Sequence, residues 1–182
     1  DMAVVSPGVP LDNPIVKKIN DANVKLIGEI ELGYIYEKGS VVAITGTNGK
    51  TTTTTLVGDI IKRWKSNTIV AGNIGFPYTN EVIKSENDSI SIIEISSFQL
   101  ETIDTFHAKV AAILNITPDH LDRHKTMEAY TEAKFNVTKN QTADDFVILN
   151  FDDERLREFA KRCTSHVLWF GRVNKPDTGY YY

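Results

Sequence analysis

Short runs of β-branched and other apolar residues alternate with helical patterns along most of this 182-residue chain, and that alternation limits its fold more than any other feature. Val41 to Thr45, Thr68 to Ala71, Ser89 to Ile95, Val110 to Asn115 and Phe146 to Asn150 each read as a short buried strand, with Val167 to Phe170 as a candidate sixth. Lys50 to Lys65 places Leu56, Ile60, Ile61 and Trp64 at helical spacing, and Met127 to Lys139 and Asp153 to Cys163 read as further helices. Parallel neighbours need a crossover between them, so this order predicts an α/β fold: a mostly parallel sheet flanked by helices on both faces. Ligands of such sheets sit at the carboxyl ends of the strands, which makes the residues just after each strand the first functional candidates. Upstream lies a smaller unit, with an apolar Ala3 to Val5, a helical Pro14 to Ala22, a short strand Val24 to Ile27, and a break near Glu37 to Ser40.

The first of those strand ends carries AITGTNGKTTTTTL, Ala43 to Leu56. A phosphate-binding loop ordinarily has four residues between its first glycine and the Gly-Lys pair, whereas only Thr47 and Asn48 separate Gly46 from Gly49-Lys50-Thr51. The physical requirements are nevertheless present. A strand leads in, glycines allow close backbone approach, and a helix begins at once, offering unpaired N–H groups and a partial positive charge to an anion. Lys50 can reach β- and γ-phosphates and the Thr51 hydroxyl can hold a magnesium ion. An N-capped helix start without a ligand is the competing reading of these residues.

Neighbouring strand ends favour the phosphate reading. Glu94 closes the strand in SIIEISSFQLE, and a strand rarely holds an unpaired carboxylate because its desolvation is costly. After the fourth strand, NITPDHLDRH supplies Asp119, His120, Asp122 and His124 at the same level. Thr51, Glu94 and His120 together form a candidate set around a divalent cation bound to phosphates. Bulk properties exclude other classes. A formal net charge of −4 argues against a nucleic-acid binder, and the lone Cys163 excludes an internal disulfide and suits a reducing compartment. The sequence shows no apolar run long enough to span a membrane and no signal peptide, so the cytoplasm is the expected location. The first and last residues read as though cut from a longer protein.

GTNGKTTTT, GNIG, EISSFQLE, LNITPDHLDRH and YTEAK occur in the order found in the Mur ligases of peptidoglycan synthesis, and the shortened loop resembles that family's own form. SSFQLE resembles the branch that adds D-glutamate. The resemblance implies a P-loop NTPase-like central domain, ATP and Mg2+ as cofactors, and an ATP-dependent ligase. Its substrates would be UDP-N-acetylmuramoyl-L-alanine and D-glutamate, joined through an acyl phosphate, with no protein, nucleic-acid or membrane partner. It implies ATP binding by Gly46, Thr47, Asn48, Gly49, Lys50, Thr51 and Thr52. Thr51 and Glu94 match positions for a first magnesium and His120 for a second, and Lys134 matches a lysine that the family carbamylates. Lys50, Lys134 and His120 are the implied catalytic residues. Asn73, Ser96 and Gln99 match positions that hold the muramoyl substrate, and Ser6 and Gly8 match a turn at its uridine diphosphate portion. Residues 1–38 correspond to the end of a UDP-binding domain and 39–182 to an incomplete ATP-binding domain. The adenine motif and the D-glutamate-binding third domain lie outside the chain, which is therefore expected to be weakly active or inactive alone.

Two alternatives remain at this stage. Asn174-Lys175-Pro176-Asp177 matches the guanine-reading pattern of GTPases, although no Asp-x-x-Gly lies between it and the loop. A phosphate-binding module without turnover is the other.

Overall fold

The computed structural model describes residues 1–182. In chain order the elements are β1 Met2–Val5, α1 Pro14–Asp21, β2 Lys25–Gly28, α2 Glu29–Ile35, β3 Ser40–Thr45, α3 Lys50–Lys62, β4 Thr68–Gly72, α4 Tyr78–Glu81 and β5 Ile90–Glu94. They continue with α5 Ser97–Leu100, β6 Val110–Ile113, α6 Leu121–His124, α7 Met127–Phe135, β7 Phe146–Asn150, α8 Glu154–Ala160, β8 His166–Gly171 and β9 Tyr180–Tyr181. All the expected strands form, the sixth included. The short helices α2, α4, α5 and α6 were not legible, because a run of four to seven residues is too brief to establish a 3.6-residue period.

The main sheet has seven strands in the order β4-β5-β3-β6-β7-β8-β9, and every pair is parallel. The chain leaves β3 for β4, returns to β5, and then crosses β3 to reach β6. That reversal puts the loop after β3 between the ends of β5 and β6, the crevice where such sheets bind ligands. A separate two-stranded parallel sheet, β1 with β2, forms the N-terminal unit.

The two faces of the main sheet are unequal. One carries a continuous core in which Tyr78, Tyr130, Phe106, Leu156 and Ile30 pack over Ala43, Ile93, Ala111 and Val147. The other holds a small buried group, Ile44, Ile92 and Ala112, flanked by Val57 and Ile61 of α3. Leu56, Ile60 and Trp64 do not pack here: they are 58%, 56% and 71% exposed. Gly58 explains the rotation of α3. A Cβ at Gly58 would meet Val70 Cγ2 at 2.5 Å, so closest approach to β4 occurs through this glycine, and the large side chains turn outward.

The segment near Glu37 is a boundary but not a loose one. The Glu37 carboxylate accepts hydrogen bonds from Ser85, from Ser91 and Tyr78 at 2.6 Å each, and from the Gly39 N–H at 2.8 Å. Glu31, on α2, accepts from the N–H groups of Asp104 (2.8 Å), Thr105 (2.8 Å) and Phe106 (2.9 Å), and from the Thr105 hydroxyl. Glu29 accepts from Thr79 N at 2.8 Å and Thr79 Oγ1 at 3.0 Å. These carboxylates fasten the N-terminal unit to the main sheet.

Candidate functional site

The loop from Gly46 to Gly49 runs from the end of β3 into the first turn of α3. Gly49, at φ +84°, caps α3 in a left-handed conformation that an L side chain rarely adopts, which turns the chain into the helix. Asn115, just beyond β6, fixes the loop's shape: its Oδ1 accepts from Asn48 N at 2.9 Å and its Nδ2 donates to Asn48 O at 3.0 Å. Thr47 Oγ1 lies 3.0 Å from Tyr130 OH, donates to Thr117 O at 3.1 Å, and accepts from Thr117 N at 3.0 Å. Thr51 and Thr52 stand exposed on the first turn of α3.

Two lysines converge on the loop. Lys50 Nζ donates to Gly46 O at 3.1 Å and Thr47 O at 3.0 Å, and Lys134 Nζ donates to the same Gly46 O at 2.9 Å. Lys134 is 2% exposed and lies 4.7 Å over the Tyr130 ring. Burial, and then the charge of Lys50, push its pKa down to about 7 against the opposing pull of Asp119.

Glu94 ends β5 and is 1% exposed. Its Oε1 accepts from Asn73 Nδ2 at 3.0 Å, whereas its buried Oε2 has no hydrogen-bond partner. An orphaned carboxylate oxygen is costly, and a cation would satisfy it. His120, at φ +50°, keeps a half-exposed ring with Nε2 3.4 Å from Asp119 Oδ2. No group of three or more His, Cys, Asp or Glu side chains stands close enough to hold a metal ion. The expected set of Thr51, Glu94, His120 and Lys134 contains only two such side chains, Glu94 and His120. Magnesium takes one or two carboxylates and draws its other oxygens from phosphates and water, and Glu94 is the one carboxylate of that set.

Ser6, Asn73 and Gln99 meet on one cavity of about 560 Å³ between the N-terminal unit and the main sheet, bounded also by Glu29 and Gly75. Asn73 thus joins this cavity to Glu94. Gly8 opens instead onto an adjoining cavity of about 530 Å³ beside Arg123 and Lys125. Ser96 lines neither. It caps α5, its Oγ accepting from Gln99 N at 3.3 Å while Gln99 Oε1 accepts from Ser96 N at 3.0 Å. That capping box is readable as Ser-x-x-Gln, and it employs the Ser96 hydroxyl in local structure.

A larger groove, about 720 Å³ between α7 and α8, contains none of the loop or cavity residues. Asn174-Lys175-Pro176-Asp177 follows β8, three strands from β3, and Asn174 is engaged with Asp152 through both its N–H (2.7 Å) and its Nδ2 (3.1 Å). Neither position nor hydrogen bonding prepares it to read guanine beside the loop. Asn115 and Tyr130 were not among the expected site residues, although Tyr130 reads as standing one turn before Lys134 on the same helix face. Asn115 stands in the LNITPDH run immediately after a strand, the signal that could have flagged it. No helix is long and apolar enough to cross a membrane.

The profile of the family described as Mur ligase middle domain matches residues 44–180. A UDP-N-acetylmuramoylalanine–D-glutamate ligase of Lachnoclostridium phytofermentans is 56% identical over 98% of this chain and 39% of its own length. That of Clostridioides difficile is 51% identical over 100% of this chain and 40% of its own length. The chain thus spans about two fifths of the curated relatives it matches. Among solved structures, MurF from Acinetobacter baumannii superposes with a TM-score of 0.64 at 20% identity, covering 79% of this chain and 34% of that one. MurF ligase from Thermotoga maritima in complex with ADP gives 0.59 at 20% identity, over 94% and 48%. At those identities the likeness is one of fold.

Proposed function

The chain belongs to the Mur ligase family, and on that premise we propose that it is the phosphate-handling part of an ATP-dependent ligase joining D-glutamate to UDP-N-acetylmuramoyl-L-alanine. Residues 39–182 form the greater part of the ATP-binding domain, and residues 1–38 the end of the domain that holds the nucleotide sugar. One arrangement carries the reading: the Gly46–Gly49 turn opens directly into the N-terminus of α3, and Lys50 Nζ is held at its mouth by Gly46 O and Thr47 O. Polyphosphate is the anion that such a cradle suits.

The γ-phosphoryl group of ATP passes to the substrate carboxylate, and the amine of D-glutamate attacks the resulting acyl phosphate, giving an amide, ADP and phosphate. The difficulty is that two anions must approach each other. Lys50 leaves the loop carbonyls to follow the charge on the transferred group, and the α3 N–H groups hold the phosphates in line. Asn73 and Gln99 orient the muramoyl substrate across the cavity. Thr51, Glu94 and His120 would hold Mg2+, which when bound neutralises phosphate charge.

Lys134, with a pKa near 7 and a buried amine, is set to add carbon dioxide and become a carbamate anion. Labelling the full-length protein, with nucleotide bound, in ¹³C-bicarbonate should give a carbamate resonance that disappears in Lys134→Ala; no resonance, or one that persists in the variant, would remove the assignment. The main test is Lys50→Ala in the protein that carries this chain. ADP release with both substrates should fall by roughly a thousandfold, about 4 kcal/mol of barrier, with the fold intact. Turnover within a few fold of wild type would overturn the reading. Binding of ATP and magnesium by the wild type with no ADP release would make it a module without turnover.

A further inference from the structure

We propose that Arg123 is a positioning residue that couples the loop after β1 to His120, so that filling the nucleotide-sugar cavity changes the affinity of the phosphate centre for its cation. The inference rests on the function proposed above for those two places.

The guanidinium of Arg123 makes four contacts at once. Its Nη1 donates to Pro7 O at 2.6 Å, and its Nη2 to Val9 O at 3.3 Å and to Glu101 Oε2 at 3.1 Å. Its plane lies over the Phe98 ring, 4.1 Å from the centroid. The Arg123 bonds are the only hydrogen bonds that reach Ser6–Asp12 from beyond the N-terminal unit. Whatever moves this loop therefore acts on Arg123 first.

The far side of the same guanidinium leads to the segment after β6 that carries His120. The Phe98 ring sits 4.9 Å from the ring of His120, and it stacks on His124 at 5.1 Å with the planes 17° apart. His124 is itself held, with Nε2 2.9 Å from Ser97 Oγ and Nδ1 3.3 Å from Glu101 Oε1. Glu101 is thus shared between Arg123 and His124. The His120 ring has no comparable anchor, because its Nε2 approaches only the adjacent Asp119, while the His120 backbone is tied in as the cap of α6, its carbonyl accepting from Arg123 N at 3.1 Å and His124 N at 3.0 Å. The chain Pro7–Arg123–Phe98–His120 is contiguous, and an arginine suits its centre because a planar fork donates in-plane while stacking on an aromatic face.

Coupling and simple stapling differ measurably. A staple that merely holds the loop would change each affinity by the same factor whether or not the other ligand is bound. A coupling residue changes the ratio between the two conditions. The experiment is a Mn2+ titration followed by electron paramagnetic resonance, in the full-length protein with a non-hydrolysable ATP analogue. It is run without and then with saturating UDP-N-acetylmuramoyl-L-alanine. In the wild type the nucleotide sugar should change Mn2+ affinity by about fivefold or more. In Arg123→Met, which keeps the apolar stack but loses the fork, the ratio should fall close to one, with Mn2+ affinity in the absence of the sugar within about twofold of wild type. Phe98→Leu, which cuts the chain at a different link, should lose the same ratio even should Arg123→Met fail to fold. A wild-type ratio of one, or a wild-type ratio preserved in the variants, overturns the proposal. Failure of the wild type to bind Mn2+ with the analogue overturns the cation site itself, and the coupling with it.

Discussion

Glu31 and Glu94 are each 1% exposed, yet the two regions that hold them treat a buried carboxylate in opposite ways. On α2, Glu31 receives three backbone N–H groups and a hydroxyl. Burial alone would raise its pKa, but those hydrogen bonds outweigh it and hold the group below the ordinary carboxylate range. At the end of β5, Glu94 has one partner, Asn73, and one buried oxygen with none. Saturation of acceptor sites suits a carboxylate that fastens architecture, and an unpaired oxygen is what the cation role proposed for Glu94 requires. Burial by itself does not separate the two.

Stability should separate them most sharply. Glu31→Ala strands three N–H groups beneath α2 and should cost roughly 3–5 kcal/mol in denaturant unfolding. Glu94→Ala removes an incompletely paired group and should cost less than about 1 kcal/mol in the same measurement. Equal losses would break the distinction between fastener and ligand.

Magnesium dependence should reverse the ranking. Glu94→Gln preserves size and one acceptor but removes the charge, so the Mg2+ concentration for half-maximal turnover should rise about 10–100-fold, or about 1.4–2.8 kcal/mol. Glu31→Gln should leave that titration within about twofold of wild type, measured where the variant is folded. An unchanged titration in Glu94→Gln would make Glu94 structural.

Acid provides the smallest and most specific effect. The folded pKa of Glu31 lies below its unfolded value of 4.5, so its contribution is complete above about pH 5 and disappears as pH falls through the folded pKa. Unfolding free energy should therefore fall with pH in that window, and Glu31→Gln should flatten the fall. An identical acid slope in wild type and variant would show that Glu31 is no more stabilised as an anion than in the unfolded chain.

Local spacing made much of this molecule legible. The strand–helix alternation pointed to the class of sheet, the Gly-Lys-Thr cluster stood out at a strand-to-helix turn, and a carboxylate at the end of an apolar strand singled out Glu94. These features carry their physical reason in adjacent residues: the period of a strand, the opening turn of a helix, the cost of a charge among apolar neighbours. The outward stripe of α3 was not legible in that way. Leu56, Ile60 and Trp64 satisfy a helical period as well as Thr54, Gly58 and Ile61 do, and only the close approach of Gly58 to Val70 selects the second set.

The same division runs through the site. Lys50 and Thr51 could be proposed for a site from sequence because they belong to one contiguous loop at a helix start. The grip of Asn115 on Asn48, of Tyr130 on Thr47 and of Arg123 on Pro7 joins residues 67, 83 and 116 positions apart. Asn73 could be assigned to a substrate from its motif, but its bond to Glu94 depended on β4 and β5 lying side by side with Gly72 opposite Glu94. Sequence alone determined which residues could carry phosphate chemistry. Only the tertiary structure decided which of them share partners, because register and chain crossing bring distant positions within the 3 Å or so that a hydrogen bond requires.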